Sequence, residues 1–344
     1  MQTRLNTTDR YLTLWIFMAM AAGLLLGSLA PDQVAAFQSI SVGTTHIPLA
    51  VGLIVMMYPP LVRVDYHRMR DILAKPKLIG TGLLITWVLG PLLMFGLGTL
   101  FLRDHPEYLS GLLIIGLAPC IAMVIVWNEL AGGNRELCAG LVGINSLLQV
   151  FFFSAYAWFY LHVMLPLTGA EAIDLQVGMG DIAQTVGVYL GIPFLAAILS
   201  RMLILRIKGE DWLQRRFIPK VAPLTLYALL FTIVVMFSLK AESLLRIPFD
   251  VLRVALPLSI FFVLMFFFSF WVMKKLGADY RDSATMAFTA SGNNFELAIA
   301  VSIGVFGIDS PQAFTGVIGP LVEVPVLITL VRAAFFLKQK WFTK

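Results

Sequence analysis

Leu117-Ala118-Pro119-Cys120-Ile121-Ala122-Met123 and Ser291-Gly292-Asn293-Asn294-Phe295-Glu296 each lie near the midpoint of a long apolar segment, and Pro119 and Asn293 are 174 residues apart. Proline removes a backbone donor and clashes with the carbonyl four residues back, glycine weakens a helix, and asparagine favours a cap. Both segments are therefore predicted to be helices broken in the middle. In hydrocarbon, a broken backbone survives only where it is buried in protein or lines a polar cavity. Paired discontinuous helices are also where secondary transporters hold substrates and ions. Two such breaks predict one central polar site, with Pro119 and Gly292 as the helix breakers.

Working outward, the 344 residues are 59% hydrophobic and 13% charged, with a mean hydropathy of +0.87, far from soluble composition. About 20 apolar residues cross ~30 Å of hydrocarbon, and ten segments qualify: 12–30, 46–62, 78–102, 109–131, 139–161, 182–203, 221–239, 251–273, 283–306 and 313–337. Within the second, Tyr58-Pro59-Pro60 is predicted to break the helix. Of the 25 Lys and Arg residues, 21 fall on one side of this ten-span topology, whereas the loop from His162 to Asp181 holds three acids and no Lys or Arg. The positive-inside rule puts both termini in the cytoplasm. The pI of about 9.2 follows from that asymmetry, and anionic lipid headgroups rather than nucleic acid are the expected partners of the basic loops.

The first apolar run follows Arg4 and Arg10 but is long for a signal peptide, so it is read as an uncleaved span. The two cysteines, Cys120 at mid-span and Cys138 near the cytoplasmic start of span 5, give no reason to expect a structural disulfide. The sequon Asn6-Thr7-Thr8 would face the cytoplasm and stay unmodified.

The two halves align weakly. Ile144-Asn145-Ser146-Leu147-Leu148-Gln149 lies on Ile318-Gly319-Pro320-Leu321-Val322-Glu323, and the same offset carries Pro119 onto Asn293 and Cys120 onto Asn294. Five spans per half is an odd number, so the halves would be inverted in the membrane, a plan of many transporters. The expected fold is thus an all-α polytopic membrane protein of ten transmembrane helices. It would form a single unit over 1–344, with repeats over 11–163 and 182–337 and broken crossing helices at spans 4 and 9.

Ionisable groups at mid-span cost roughly 2.5 to 3.5 kcal/mol each and mark function by default; here they are Glu296 and Glu323. Asn293 and Glu296 also have the spacing of a capping box, with Asn293 as N-cap and Glu296 at N3. The amides freed in span 9 are the expected partners of Glu323. Pro119 is expected at the first position of the resumed helix, which would bring Cys120 to a half-helix N-terminus. A thiolate there would select soft ions over sodium or magnesium. Asn145, Gln149, Ser291, Asn293 and Asn294 lie near the same depth, either as site groups or as interhelical hydrogen bonds worth about 0.6 to 2 kcal/mol each. The run Phe266-Phe267-Phe268 reads as lipid-facing or packing. Gly178-Met179-Gly180-Asp181 matches the GxGD string of intramembrane proteases but lacks a mid-span aspartate partner. With no HExxH, Walker A or GxSxG string, neither an enzyme nor a cofactor is expected.

At these residues the chain resembles the arsenite efflux permeases of the arsenical-resistance family, within the bile acid/sodium symporter-like superfamily. Four stretches carry the resemblance: Met57-Tyr58-Pro59-Pro60-Leu61-Val62-Arg63-Val64-Asp65-Tyr66, Leu117 to Trp127, Thr289 to Ala298, and Gly319 to Val326. The resemblance implies a core domain of spans 3 to 5 and 8 to 10 and a panel domain of spans 1, 2, 6 and 7. It also implies Cys120 and Glu296 as essential thiol and carboxylate. The implied activity is efflux of arsenite, in some relatives antimonite, across the cytoplasmic membrane, driven by inward protons, with the arsenic held by Cys120 as cargo. Ile121 and Asn128-Glu129 depart from the family pattern, which bears on the breadth of metalloid selectivity. Two other readings are a sodium-coupled organic-anion symporter of the same superfamily and a membrane sensor for a small ligand, although the sequence shows no soluble output domain.

Overall fold

The computed structural model describes residues 12–42, 45–64, 75–169, 177–242 and 248–342. The sequon at Asn6, the basic loop through Arg70 and the acidic loop through Asp174 lie outside them. The helices are α1 (Leu12–Leu29), α2 (Pro31–Gln38), α3 (Ile47–Arg63), α4 (Pro76–Leu102), α5 (Pro106–Gly116), α6 (Met123–Leu130) and α7 (Arg135–Leu167). They continue with α8 (Met179–Val186, carried through Gly187–Gly191 into Ile192–Trp212), α9 (Ile218–Leu239), α10 (Pro248–Lys275), α11 (Tyr280–Ser291), α12 (Phe295–Phe306) and α13 (Pro311–Trp341). A ribbon of Ser41–Val42 and Thr45–His46 precedes α3.

Each of the ten apolar segments is helical, the fourth as α5 and α6 and the ninth as α11 and α12. Among the described residues, five helical stretches are long and apolar enough to cross a bilayer. One of them, Met179–Leu239, contains two of the expected spans, with the chain turning at Gly209, whose φ of 80° suits glycine alone. The protein is a polytopic α-helical membrane protein.

Proline explains a recurring irregularity. Four π turns, Ile85–Leu89, Tyr160–Met164, Gly187–Gly191 and Leu213–Phe217, each end one residue before a proline-containing first turn: Gly90-Pro91, Leu165-Pro166, Ile192-Pro193 and Ile218-Pro219. Proline cannot donate to the ladder. The amide just before it instead reaches five residues back, as from Gly90 to the Ile85 carbonyl and from Ile192 to Gly187. The wider turn re-pairs carbonyls that hydrocarbon would not solvate.

Pro59-Pro60, expected to break span 2, does not: α3 runs to Arg63. Two ladder bonds are lost, those to the Val55 and Met56 carbonyls, and the helix continues only three residues beyond Pro60. The terminal carbonyls find other donors, Val64 N–H to Leu61 O and Arg201 Nη1 to Val62 O at 3.2 Å.

α9 packs along α1 and α3, and α8 along α3. Elsewhere α10 packs on α11, α13 and α4, and α13 on α5 and α12. A methyl at Gly23 or Gly27 would run into Phe237, Ser238 and Ala241, so small residues set the α1–α9 approach. Phe266 is buried edge-on against Phe288, whereas Phe267 and Phe268 face outward.

At the end of the molecule that carries the basic loops, Lys75 Nζ lies 2.7 Å from Asp282 Oδ2, and Asn134 Nδ2 donates to Asp282 Oδ1 at 2.7 Å. The Asp282 hydrogen bond and charge hold the Lys75 ammonium above the usual lysine range. A raised folded value means the pair's contribution is complete below ~10.4, the ordinary lysine value, and is lost as pH rises through the raised one. Because Lys75 is more than half exposed, Lys75→Met should cost at most about 1 kcal/mol. Asp282→Ala, which orphans both partners, should cost more. Thermal unfolding in detergent at neutral pH reads the order of the two.

Candidate functional site

α5 stops because Pro119 has no N–H for the Ile115 carbonyl. That carbonyl is taken by Asn293 Nδ2, at 2.9 Å, from the other break. The two interrupted stretches then lie antiparallel, with Pro119 opposite Asn293. Cys120 N donates to Gly292 O at 3.0 Å and Asn294 N donates to Ala118 O at 2.7 Å. Each break thus satisfies the other's backbone, which is what allows non-helical chain at this depth.

Gln149 of α7 braces both strands. Its Nε2 donates to Pro119 O at 2.7 Å, and its Oε1 accepts from Asn294 Nδ2 at 2.8 Å. Asn145, one turn earlier, accepts from Trp87 Nε1 at 3.0 Å, while its own amide nitrogen has no protein partner. Ser291 Oγ and Glu323 Oε1 are likewise buried and unpartnered. Buried polar atoms without partners are uncommon in folded proteins, and these three lie near the crossing.

Local capping differs from the expectation. The residue that caps α12 is Asn294, whose Oδ1 accepts from Leu297 N at 3.1 Å, and Glu296 sits at N2 rather than N3. The Ile115 carbonyl has claimed Asn293, so no Asn293–Glu296 capping box forms. The Glu296 carboxyl instead accepts from its own backbone N–H. Nor is Pro119 the first residue of α6. The pairing with Gly292 holds the chain extended, and the helix resumes only at Met123. Cys120 still reaches that N-terminus, its Sγ accepting from Val124 N at 3.2 Å. The freed amides of span 9 do not serve Glu323 Oε1, because Ala118 O and the Asn294 side chain take them.

Gly292 shows how close the groups are. A methyl there would stand 3.1 Å from Cys120 Cβ and 3.5 Å from Glu323 Oε1. Cys120 is fully buried, and Glu296 and Glu323 lie within electrostatic reach of its thiol and of each other. A soft sulfur donor, two carboxyls and unpaired amide and hydroxyl groups therefore converge where four half-helices meet. Among the described residues no three His, Cys, Asp or Glu side chains are grouped to hold a metal ion. Cys138 is buried and unpaired too, with its Sγ 4.0 Å from the Val124 carbonyl.

A cavity of about 170 Å³ lies at the basic end, lined by Pro60 and Arg63 of α3, by Ala122, Met123, Val126 and Glu129 beside the Cys120 break, and by Ala222, Leu226 and Leu229 of α9. Nothing local in the sequence marks Trp87, whose indole fixes Asn145. Thr285 was also missed; its hydroxyl bonds Asn128 Oδ1 at 2.7 Å and so ties α6 to α11. Asn128 and Glu129 are thus a helix tie and a cavity wall. Asp181 of the GxGD string caps α8, accepting from Gly178 N at 2.9 Å.

A polytopic helical protein whose two interrupted helices cross at a buried polar centre has the architecture of a secondary transporter. The chain belongs to the sodium bile acid symporter family, whose profile matches residues 50–247. It is 47% identical to the arsenical-resistance protein Acr3 of Corynebacterium glutamicum, over 98% of this chain and 92% of that protein. It is 30% identical to the Acr3 of Alkaliphilus metalliredigens, over 94% of this chain and 91% of that protein. An uncharacterised transporter of Synechocystis is 33% identical over 95% of this chain and 88% of its own length. The motif resemblance to arsenical-resistance permeases is thus a family relationship spanning nearly the whole chain.

Proposed function

We propose that this protein exports arsenite across the cytoplasmic membrane by alternating access, coupled to protons moving inward, and so confers arsenic resistance. The observation that carries the reading is the crossing itself, which sets a buried thiol, Cys120, beside the carboxyls of Glu296 and Glu323. Trivalent arsenic is soft and binds sulfur in preference to oxygen. Exchange of one arsenic hydroxyl for the Cys120 sulfur forms an S–As bond and releases water, the thiol proton leaving on the displaced hydroxide. The step is reversible, as a cargo site requires. Glu296 binds a proton from the outside when arsenic leaves and loses it to the cytoplasm on return, with Glu323 as the neighbouring carboxyl. Antimonite, with the same valence and softness, fits the same site.

In this reading the chain crosses the membrane ten times as two inverted repeats, 11–163 and 182–337, with both termini cytoplasmic. α4 to α7 and α10 to α13 form the core domain, and α1, α3, α8 and α9 form the panel. Support comes from the helix packing, from the cavity between α3, α6 and α9, and from the basic-residue asymmetry. Cysteine-accessibility labelling should put the loops around Arg70 and Arg215 inside and the loop around Asp174 outside. Finding the first two on opposite sides would remove the ten-span topology.

Everted vesicles test the function. Arsenite should accumulate under an acid-inside gradient, collapse with a protonophore, and not respond to an imposed sodium gradient. Accumulation driven by sodium alone would instead favour the sodium-coupled symporter reading that the family name carries.

A further inference from the structure

Among the described residues, the contact between the two helix groups leaves a larger void at one end than at the other. Where Pro60, Arg63 and Ala222 to Leu229 face α6 there is a cavity of about 170 Å³. At the opposite end, Leu49 of α3 and Met236, Leu239 and Lys240 of α9 close on Ile303, Ile308, Ala313 and Val317, leaving about 10 Å³. Lys240 is the residue at which α9 ends. Its side chain is 7% exposed and its ammonium lies 3.1 Å from Asp309 Oδ1, whose own side chain is 77% exposed. Asp309 sits in the short connection between α12 and α13. That connection is fixed by Gly307, at a φ of 86°, and by Ser310, which caps α13 through Ala313 N at 3.1 Å. A lysine at the rim of an apolar contact on one helix group thus meets an aspartate held rigidly on the other.

We propose that Lys240 and Asp309 are further residues of the transport reaction, forming the latch that closes the outer path while the site faces the cytoplasm. The proposal rests on the alternating-access reading above. The energetics suit a contact that must form and break in every cycle. With the path closed, the ammonium is desolvated but paired with an already hydrated carboxylate; with it open, the ammonium regains water in exchange for the pair, so the two states differ little in energy. A purely apolar seal would offer no such balance, since separating it exposes apolar surface without return. The connection carrying Asp309 leads directly into α12 and α13, which bear Glu296 and Glu323. A change at the carboxyls and a change at the latch are therefore two ends of the same helices.

The test uses the full-length protein with Ala313→Cys, a buried position beside Lys240 at the outer end of α13. A membrane-impermeant maleimide is applied to right-side-out and everted vesicles. Lys240→Met and Asp309→Asn should each raise outside labelling of the introduced thiol by roughly tenfold, as the population shifts toward the outward-open state. The exchanged pair, Lys240→Asp with Asp309→Lys, should return it toward the parent. If Lys240→Met does not assemble, Asp309→Asn, at an exposed residue, carries the measurement. In a separate variant, Lys240→Cys with Asp309→Cys, a short bis-methanethiosulfonate bridge should stop efflux until reductant releases it. Unchanged labelling in the single variants, or undiminished efflux with the bridge in place, overturns the latch. The labelling requires neither arsenite nor a gradient, so it reads the latch even if the cargo or coupling ion proves different.

Discussion

Cys120→Ser reduces arsenite efflux to the background of vesicles without the protein, while Cys138→Ser leaves it largely intact, at matched expression. The two thiols are equally buried, so burial does not separate them; position does. Cys120 lies in the interrupted stretch, paired through its own N–H to Gly292 and aimed at the first turn of α6. Cys138 is inside the regular helix α7, with a weak contact to a carbonyl. Serine at 120 keeps an acceptor for Val124 N and so keeps the fold, but an oxygen cannot replace soft coordination. Wild-type flux from Cys120→Ser would take the thiol out of the mechanism.

Glu296→Gln is expected to separate exchange from accumulation. The side chain caps nothing beyond its own amide, because Asn294 performs the capping. Glutamine therefore preserves shape and the local hydrogen bond. What it loses is the ability to gain and release a proton. The variant should still exchange arsenite across the membrane down its gradient, but fail to concentrate it under an imposed pH gradient. Accumulation at the wild-type rate would transfer the coupling role to Glu323, and Glu323→Gln in the same vesicles would decide that.

Much of this architecture is visible in composition and punctuation. Long apolar runs in a chain with few charges leave only helices as spanning elements, and the breaks at Pro119 and Gly292 can be seen as local interruptions of two such runs. The finer assignments fail wherever a tertiary partner decides. Asn293 and Asn294 are adjacent and equally good caps by local rule, and the Ile115 carbonyl, 178 residues away, takes the first. Pro119 suits a first helical position, yet strand-like pairing with Gly292 delays the helix to Met123. Pro59 and Pro60 read as a break, whereas α3 loses their two ladder bonds and still runs on to Arg63. The Lys240–Asp309 pair is not legible in the sequence, since nothing near Lys240 in the chain points to Asp309. The four π turns have no counterpart among the elements expected from the sequence.

The measurement that bears most directly on the central claim is X-ray absorption at the arsenic edge of the purified protein equilibrated with arsenite. The account predicts one sulfur among the arsenic ligands, unchanged in Cys138→Ser and replaced by oxygen in Cys120→Ser. An oxygen-only spectrum for the wild type, or a sulfur ligand that persists in Cys120→Ser, would contradict it.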